Sequence, residues 1–252
     1  SRVSRGLGDV YKRQILESTK LKSPRILLYG PAGIGKTTFG ASLPAPIVVP
    51  TEDGLGKINV KHFPVAKTFD ELIGNLKSLL DEEHEFKSVI LDSLDWAEQL
   101  WEQKTCDVLG FKTIEAAGYG RGYKEAVKFV DVIIDILDRL RDEKNMVICL
   151  IAHAEIKRFE AVTVDPYDRY QIKLNKRACA RFMESVDAIF FANYKLGTVK
   201  TQGNKGQTHT KTVQGDRVLF TEERPEFVAK NRYALPAEME MNWEAVREEI
   251  IK

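Results

Sequence analysis

The sequence contains no run of about 18 consecutive apolar residues, which is the length that a membrane-spanning helix requires. Its longest apolar stretches, such as Met146–Ala152, are only as long as a strand. The net charge is also close to zero, because 37 Asp and Glu residues balance all but one of the 38 Lys and Arg residues and leave +1 at pH 7. We therefore expect no membrane association, and the overall charge favours neither a nucleic-acid binder nor an acidic-tail protein. Any DNA affinity would depend on local basic loops.

Cysteine is also scarce, and its spacing excludes the usual cysteine motifs. The three residues, Cys106, Cys149 and Cys179, form no CxxC pair and have no neighbouring histidine pair. We interpret them as structural thiols, which are typical of a reducing compartment. The sequence therefore predicts a cytoplasmic protein.

The first residues differ from the remainder of the chain. Ser1–Gln14 is basic and lacks the apolar segment of a signal peptide. We interpret these residues as a non-native or disordered arm, and a native flexible arm is the alternative. Residues 15–252 are then expected to form one domain, since no internal repeat and no long linker divides them.

Along most of the chain, short apolar runs alternate with amphipathic helical stretches, a pattern typical of a parallel sheet flanked by helices. Met146–Ala152 is the most apolar predicted strand and should be central. After His153 the pattern changes, and Ala161–Val164 with Tyr170–Leu174 predicts a β-hairpin. The turn-rich segment Lys195–Tyr233 predicts antiparallel strands at the sheet edge. The expected fold class is therefore α/β, with a mainly parallel sheet and added antiparallel C-terminal strands.

The strongest motif is a glycine-rich loop that follows the first predicted strand. The segment from Gly30 to Thr37 matches the P-loop pattern G-x-x-x-x-G-K-[ST] completely. Glycines in such a loop let backbone N–H groups surround a phosphate. Lys36 would reach the β- and γ-phosphate oxygens, and the hydroxyl of Thr37 would bind Mg²⁺. The predicted nucleotide-binding residues are Gly30, Pro31, Ala32, Gly33, Ile34, Gly35, Lys36, Thr37 and Thr38.

A second predicted strand ends on an acidic residue. The apolar residues of Ser88–Leu91 are followed by Asp92, which is the form of a Walker B strand. Because ligands bind outside the carboxyl ends of parallel strands, Asp92 would hold magnesium through water. A strand-terminal aspartate is also common as a helix cap, which is the alternative. Beside a P-loop the sequence favours the metal role, with Thr37 and Asp92 as the metal-binding residues.

Two further polar side chains follow predicted strands at the same edge. Glu52 comes after the strand Ile47–Val49, and a carboxylate there could orient and deprotonate an attacking water. The alternative is that Glu52 and Asp53 only solvate a turn. His153 ends the central strand and could sense the γ-phosphate by a hydrogen bond, passing that state to the hairpin behind it. A satisfied structural histidine is the alternative.

Two basic segments could contact nucleic acid. The glycine-bearing loop Lys112–Lys124 and the predicted hairpin both carry basic residues among tyrosines. Such cations suit the phosphates of a single strand, and the aromatic rings suit its bases. Acidic residues dilute the signal in the hairpin, so a solvated hairpin is the alternative. The candidate residues are Arg121, Lys124, Lys157, Arg158, Arg169 and Lys173.

Taken together, these motifs resemble the RecA-type recombinase core. The resemblance rests on the P-loop, Pro50-Thr51-Glu52-Asp53, Leu91-Asp92-Ser93, His153 and Val228-Ala229-Lys230-Asn231-Arg232. It implies a RecA-like P-loop ATPase fold, with ATP and Mg²⁺ as cofactors and Glu52 as the catalytic base. It also implies that Lys230 and Arg232 act in a neighbouring subunit's ATP site, whereas an ordinary basic edge strand is the alternative. The predicted catalytic residues are Glu52, Lys36, His153, Lys230 and Arg232.

Within that group, His153-Ala154-Glu155 and the ending Ala229–Tyr233 look like the phage Sak-type RecA-like ATPases. This resemblance implies action on single-stranded DNA in phage recombination or annealing, in the cytoplasm of a bacterial host. It implies a homo-oligomer, as a filament or ring, and a single-stranded-DNA-binding protein as a further partner. The chain differs from bacterial RecA at His153, where that family has glutamine, and in the hairpin that stands where that family has a glycine-rich DNA loop.

The expected function is therefore ATP binding and hydrolysis coupled to single-stranded DNA. One alternative is a nucleotide-gated P-loop protein that binds DNA or a partner with little turnover. A small-molecule P-loop kinase is another, but it would need an arginine-rich lid, and the sequence shows no clear lid. A packaging or remodelling motor would ordinarily be a ring whose ATPase depends on duplex DNA.

Overall fold

The computed structural model describes residues 22–160, 165–202 and 208–251. The predicted arm Ser1–Gln14 and the predicted strand Ala161–Val164 lie outside the described residues. In chain order the strands are β1 (Arg25–Gly30), β2 (Pro46–Pro50), β3 (Lys61–His62), β4 (Ser88–Asp92), β5 (Val147–Phe159), β6 (Tyr167–Ile172), β7 (Ala188–Gln202), β8 (Thr208–Phe220), β9 (Lys230–Asn231) and β10 (Glu238–Glu240). The helices are α1 (Lys36–Ala41), α2 (Phe69–Asp81), α3 (Leu94–Leu109), α4 (Arg121–Lys144), α5 (Lys176–Ser185) and α6 (Trp243–Ile251).

Parallel strands form the centre of the sheet, in the order β7-β1-β5-β4-β2-β3. Antiparallel strands extend it, since β8 and β9 pair with β7 and β10 pairs with β8. The apolar strand β5 is central and separates the strand before the P-loop from the strand that ends on Asp92. The prediction of an α/β fold with a mainly parallel sheet and antiparallel C-terminal strands is confirmed.

Side chains of the central strands alternate between two apolar layers. On β1, Leu27 and Tyr29 belong to the layer that α2, α3, α4 and α5 cover, whereas Ile26 and Leu28 face α1 and α6. All four side chains are fully buried. Because helices cover both faces, these strands are continuous apolar runs rather than alternating ones. In the described part of the chain, no helix combines the length and the apolarity needed to cross a membrane.

The parallel register brings several strand ends to one edge of the sheet. Gly30, where β1 ends, is opposite His153 on β5. Pro50, where β2 ends, is opposite Asp92, where β4 ends. The P-loop and the polar residues that follow these strands therefore meet at the carboxyl edge, which is where α/β sheets bind ligands.

The strand β5 continues beyond the sheet and forms the first strand of the predicted hairpin. Its parallel neighbours β1 and β4 end at Gly30 and Asp92, and from Ala154 to Phe159 it pairs antiparallel with β6. A hairpin is present, but the sequence assigns its first strand to Ala161–Val164 and the structure assigns it to β5. Beyond His153 the backbone of β5 has lost its parallel partners, and β6 satisfies its hydrogen-bonding groups instead.

The glycine-bearing loop before α4 is shorter than the sequence predicts. A single 3₁₀ turn, Ile114–Ala117, lies within it, and α4 already begins at Arg121. Gly122 allows this early start, because a Cβ atom there would lie 2.2 Å from the carbonyl oxygen of Ile114. Arg121 and Lys124 are therefore helical residues on the first turn of α4, where the sequence places them in a loop.

Candidate nucleotide-binding site

The P-loop joins β1 to α1, and its backbone requires glycine. At Gly30 a Cβ atom would lie 2.3 Å from the carbonyl oxygen of Ala192 on β7, closer than any real contact. Gly33 and Gly35 have φ angles of 75° and 107°, in the left-handed region that other residues disfavour. The glycines of the motif therefore allow the loop to turn tightly at the carboxyl edge of the sheet.

Lys36 opens α1 and its side chain folds back over the loop. The residue is 5% exposed, and Nζ donates hydrogen bonds to the carbonyl oxygens of Gly30 at 3.1 Å and Pro31 at 3.0 Å. Burial lowers the pKa of Lys36, and nearby carboxylates, Asp92 foremost, oppose that shift. The ammonium is therefore held where water cannot fully solvate it, and a polyphosphate bound in the loop would favour its charged form.

Thr37 and Asp92 are in direct contact across the edge. Thr37 Oγ1 donates a hydrogen bond to Asp92 Oδ2 over 2.6 Å, and Asp92 is buried. Burial raises the pKa of Asp92, and the hydrogen bond from Thr37 opposes that shift. Hydroxyl and carboxylate oxygens are ligands that Mg²⁺ accepts, together with water and phosphate oxygens. The residues present therefore fit a magnesium-bound nucleotide, with Lys36 as the cation for its phosphates.

Side-chain hydrogen bonds join the ends of β2 and β4 and hold Glu52. Thr51 Oγ1 donates to the carbonyl oxygen of Ser93 at 2.7 Å and accepts from the Ser93 N–H at 3.0 Å. Ser93 Oγ in turn donates to Glu52 Oε1 at 2.7 Å. The Glu52 side chain is 21% exposed, so its carboxylate is oriented by Ser93 while still reaching solvent. Glu52 therefore lies at the same edge as the P-loop.

Asp95, in the first turn of α3, holds His153. The His153 N–H donates to Asp95 Oδ1 at 3.0 Å, and the ring Nδ1 lies 3.0 Å from Asp95 Oδ2. Burial alone would raise the pKa of Asp95, but the hydrogen bonds from His153 outweigh it and lower the pKa below its usual value. A carboxylate at Nδ1 keeps a proton on that nitrogen and leaves Nε2 for another partner.

Asp95 also connects the nucleotide edge with the hairpin. His153 Nδ1 lies 4.0 Å from Glu52 Oε1, and Lys173, just after β6, brings Nζ to 3.8 Å from Asp95 Oδ2. No sequence signal marks this pairing, because an acid in the first turn of a helix usually indicates only a favourable helix start. The structure thus places Asp95 at this site, beside the residues that the sequence predicts there.

The arrangement described so far is a phosphate-binding loop with a strand-terminal acid beside it. A family model for the AAA domain matches residues 22–233, which is most of the chain. The chain belongs to the AAA domain family. Together with the complete P-loop motif, this membership makes the chain an AAA-type P-loop domain.

Comparison with individual proteins does not make the assignment more specific than the AAA domain family. No curated protein matches the sequence of this AAA domain. Among solved structures, the crystal structure of the RadB recombinase is similar, with 17% sequence identity and a TM-score of 0.43, over 82% of this chain and 86% of that chain. The finer resemblance, to phage Sak-type ATPases, stays a prediction.

Two predicted catalytic residues of the AAA domain lie at the edge of the sheet opposite the P-loop. Lys230, on β9, is next to the start of β7, and its Nζ donates to the carbonyl oxygens of Met183 at 2.7 Å and Val186 at 2.6 Å. This ammonium therefore stabilises the end of α5, and its role at a neighbour's γ-phosphate stays a prediction. Arg232 is more accessible, with 55% of its side chain exposed and Nη1 3.7 Å from Asp187 Oδ1. Its role in a neighbouring site stays a prediction.

Most of the basic residues predicted to contact nucleic acid are accessible in the AAA domain. Arg121 and Lys124 are exposed on the first turn of α4. Lys157 and Arg158 are exposed on the extension of β5, and Lys173, just after β6, has 59% of its side chain exposed. They lie on two elements, α4 and the hairpin with the residue that follows it, and their contact with nucleic acid stays a prediction.

Arg169 does not belong to this exposed set. It is 6% exposed, and Nη2 lies 3.0 Å from Glu223 Oε1. Its guanidinium also packs over the ring of Phe159, 4.8 Å from the ring centroid. Its charge is thus already paired and its side chain holds the hairpin against the segment that follows β8, and its contact with nucleic acid stays a prediction.

Proposed function

We propose that this AAA domain binds ATP with Mg²⁺, hydrolyses it, and couples hydrolysis to single-stranded DNA in phage recombination or annealing. One observation carries the proposal: a cation, a hydroxyl–carboxylate pair and a second carboxylate meet at one edge of the sheet. These groups are Lys36, Thr37 with Asp92, and Glu52. Phosphoryl transfer to water needs these chemical types, for the phosphate charge, for the metal and for the proton.

Each of these residues has one task in hydrolysis. Lys36 neutralises charge on the transferred phosphoryl group, and Thr37 with Asp92 holds the magnesium ion. The ion, when bound, supplies further neutralisation of the phosphate oxygens. Glu52, oriented by Ser93, accepts a proton from the attacking water.

The DNA part of the proposal is supported by the hairpin. The strand β5 runs without a break from the nucleotide edge into the hairpin, so His153 shares one strand with the exposed cations Lys157 and Arg158. Lys173, after β6, approaches Asp95, which also binds His153. Cations on such a surface suit the phosphates of a flexible single strand. A shift of His153 would therefore reach the proposed DNA contacts through one rigid strand.

The proposed function is tested by measuring ATPase activity alone, with single-stranded DNA and with duplex DNA. We expect single-stranded DNA to stimulate turnover. Stimulation by duplex DNA alone would favour a motor, and phosphate transfer to a nucleoside acceptor without any DNA effect would favour a kinase. Tight ATP binding with negligible turnover under all conditions would favour a nucleotide-gated binding protein.

Asp95→Asn is expected to uncouple the nucleotide edge from DNA. Asn keeps an oxygen that accepts the N–H of His153 but loses the charge that keeps the ring proton on Nδ1. We expect ATP affinity to stay within about twofold and stimulation by single-stranded DNA to fall roughly tenfold, as for other coupling positions. Asp107→Asn, at an exposed position of the same helix, is the control. Lost ATP binding in Asp95→Asn would contradict a coupling role.

Neutralising the hairpin cations is expected to weaken DNA binding directly. In a triple variant with Gln at Lys157, Arg158 and Lys173, affinity for single-stranded DNA should fall about tenfold or more at low salt. The slope of log affinity against log salt should flatten by about 2, because each phosphate contact contributes roughly 0.7 on a single strand. Fluorescence anisotropy of a labelled oligonucleotide over a salt series measures both quantities.

A charge-matched triple variant controls for the loss of net charge. It carries Gln at Lys22, Arg139 and Arg247, whose side chains are 58%, 50% and 47% exposed away from the hairpin. DNA affinity should be unchanged in this variant. Equal weakening in both triple variants would mean that only the overall charge matters, and the hairpin would then not be the DNA site.

A further inference from the structure

The strands β7 and β8 continue beyond the sheet as a two-stranded ribbon. The strand β1 pairs with β7 only as far as Phe191, and β10 pairs with β8 only from Val218 onward. Within the described part of the chain, residues 196–202 of β7 and 208–214 of β8 pair only with each other. The ribbon formed by these residues therefore extends past the carboxyl edge of the sheet, and at roughly 3.4 Å per residue it is about 23 Å long.

A β-bulge fixes the base of the ribbon. Two residues of β8, Gly215 and Asp216, are opposite the single residue Lys195 of β7. The bulge favours glycine, because a Cβ atom at Gly215 would lie 2.8 Å from the carbonyl oxygen of Lys195. Lys195 Nζ also donates a hydrogen bond to Glu238 Oε2 on β10 at 2.7 Å. Since a bulge bends and twists a strand pair, the ribbon leaves the sheet in a defined direction.

The ribbon belongs to a stretch of sequence without acidic residues. Residues 195–215 contain four Lys and no Asp or Glu, so this stretch carries +4 in a chain whose total is +1. Lys195 is paired with Glu238 at the base, whereas Lys200 and Lys211 are on the ribbon strands. Charge of one sign on an extended element attracts a partner of the opposite sign, and a polyanion is the partner that it fits.

The register gives the ribbon one polar face. Directly opposite residues of an antiparallel pair share a face, as do alternate residues along each strand. Six residues with hydroxyl, amide or ammonium groups therefore share one face, namely Thr198, Lys200, Gln202, Thr208, Thr210 and Thr212. Groups of these types make many of the contacts between proteins and the phosphates of DNA.

Among nucleic acids, the ribbon matches duplex DNA. The major groove of B-DNA is about 12 Å wide and admits a two-stranded β-ribbon, whereas the major groove of A-form RNA is deep and narrow. Single strands are bound largely through bases that stack on aromatic rings. Residues 196–202 and 208–214 include no Phe, Tyr or Trp, so the ribbon strands have no such ring to offer.

We propose that this ribbon binds duplex DNA along the major groove, with Lys200 and Lys211 supplying charge for the phosphates. The proposal goes beyond the proposed function, which concerns a single strand and assigns it to the hairpin of β5 and β6. Binding of duplex and of single-stranded DNA should therefore be separable by mutation.

A double variant, Lys200→Gln with Lys211→Gln, tests the ribbon. We expect its affinity for a short labelled DNA duplex to fall about tenfold at low salt. The slope of log affinity against log salt should flatten by about 2, because each phosphate contact on a duplex contributes roughly 0.9. Affinity for a single strand of the same sequence and the melting temperature of the protein should both be unchanged. Fluorescence anisotropy over a salt series, with and without ATP, measures the affinities.

A matched double variant controls for net charge. Lys61→Gln with Lys67→Gln removes two exposed lysines, one of them on β3 at the opposite end of the sheet, and should bind duplex DNA like the wild type. Equal weakening in both double variants would overturn the proposal, as would a wild type that binds no duplex at low salt. Equal loss of single-stranded and duplex DNA would also overturn it, and so would equally tight, ribbon-dependent binding of duplex RNA. Single-strand binding that fails in the wild type while ribbon-dependent duplex binding is present would instead contradict the proposed function alone.

Discussion

Lys36→Ala is expected to weaken ATP binding by about 100-fold or more. Lys36 Nζ donates to two carbonyl oxygens inside the loop, those of Gly30 and Pro31, so it is already positioned for phosphate oxygens. Each hydrogen bond from a charged group contributes about 1.5–3 kcal/mol, and about 1.4 kcal/mol corresponds to a factor of ten in affinity. Losing two such bonds therefore removes at least two orders of magnitude, which titration calorimetry with ATP and Mg²⁺ would detect.

The fold should survive replacement of this lysine, because the charge does not stabilise the empty protein. Burial lowers the pKa of Lys36, so the ammonium is less favourable in the folded state than in the unfolded chain. The charged side chain therefore lowers the free energy of unfolding. This destabilisation is present in full below the lowered pKa of Lys36 and declines as the pH rises from there toward the ordinary lysine pKa. We therefore expect Lys36→Met, which keeps most of the stem, to melt no lower than wild type near neutral pH. ATP with Mg²⁺ should raise the melting temperature of the wild type but not that of Lys36→Met.

A surface lysine provides the matched control for this site. Lys128 on α4 has 74% of its side chain exposed, and Lys128→Ala should leave both ATP affinity and the nucleotide-dependent rise in melting temperature unchanged. If Lys36→Ala bound ATP as tightly as the wild type, the P-loop assignment would be wrong. Loss of binding in both variants would point to an effect of net charge instead.

The nucleotide edge can be predicted from the sequence because its signals are local. The P-loop is contiguous, and Asp92 directly follows an apolar strand, so each is visible without knowledge of the fold. Parallel strands then bring their carboxyl ends to one edge, which is why Glu52 and His153 lie near the loop. This conclusion does not depend on the order of the strands, since every parallel strand ends on the same side of the sheet.

Contacts between distant segments are what the sequence does not predict. His153 and Asp95 are 58 positions apart, and only the packing of α3 against β5 joins them. Lys230 has the sequence features of a free surface cation, but the carbonyl groups at the end of α5 bind it. Arg169 is likewise paired with Glu223, after β8. A charge in the sequence therefore indicates a contact with DNA or phosphate only after its partners within the fold are known.

Glu52→Gln is expected to bind ATP normally and to lose turnover by about 100-fold or more, the usual contribution of a general base. Gln has nearly the same shape, and its oxygen can still accept the hydrogen bond that Ser93 Oγ donates to Glu52 at 2.7 Å. It cannot take a proton from water. Release of phosphate in a single turnover should therefore fall, while ATP affinity and the joining of β2 to β4 are unchanged.

Asp53→Asn is the variant that makes the Glu52 result decisive. Asp53 is the next residue in the chain, carries the same charge and is exposed, so it shares the turn without the bond to Ser93. If only Glu52→Gln loses turnover, the oriented carboxylate is the base. If both variants hydrolyse ATP normally, the acids solvate a turn, and Glu52 serves to join β2 to β4 through Ser93. If only Asp53→Asn loses turnover, the base is the exposed acid, and the hydrogen bond from Ser93 has no part in catalysis.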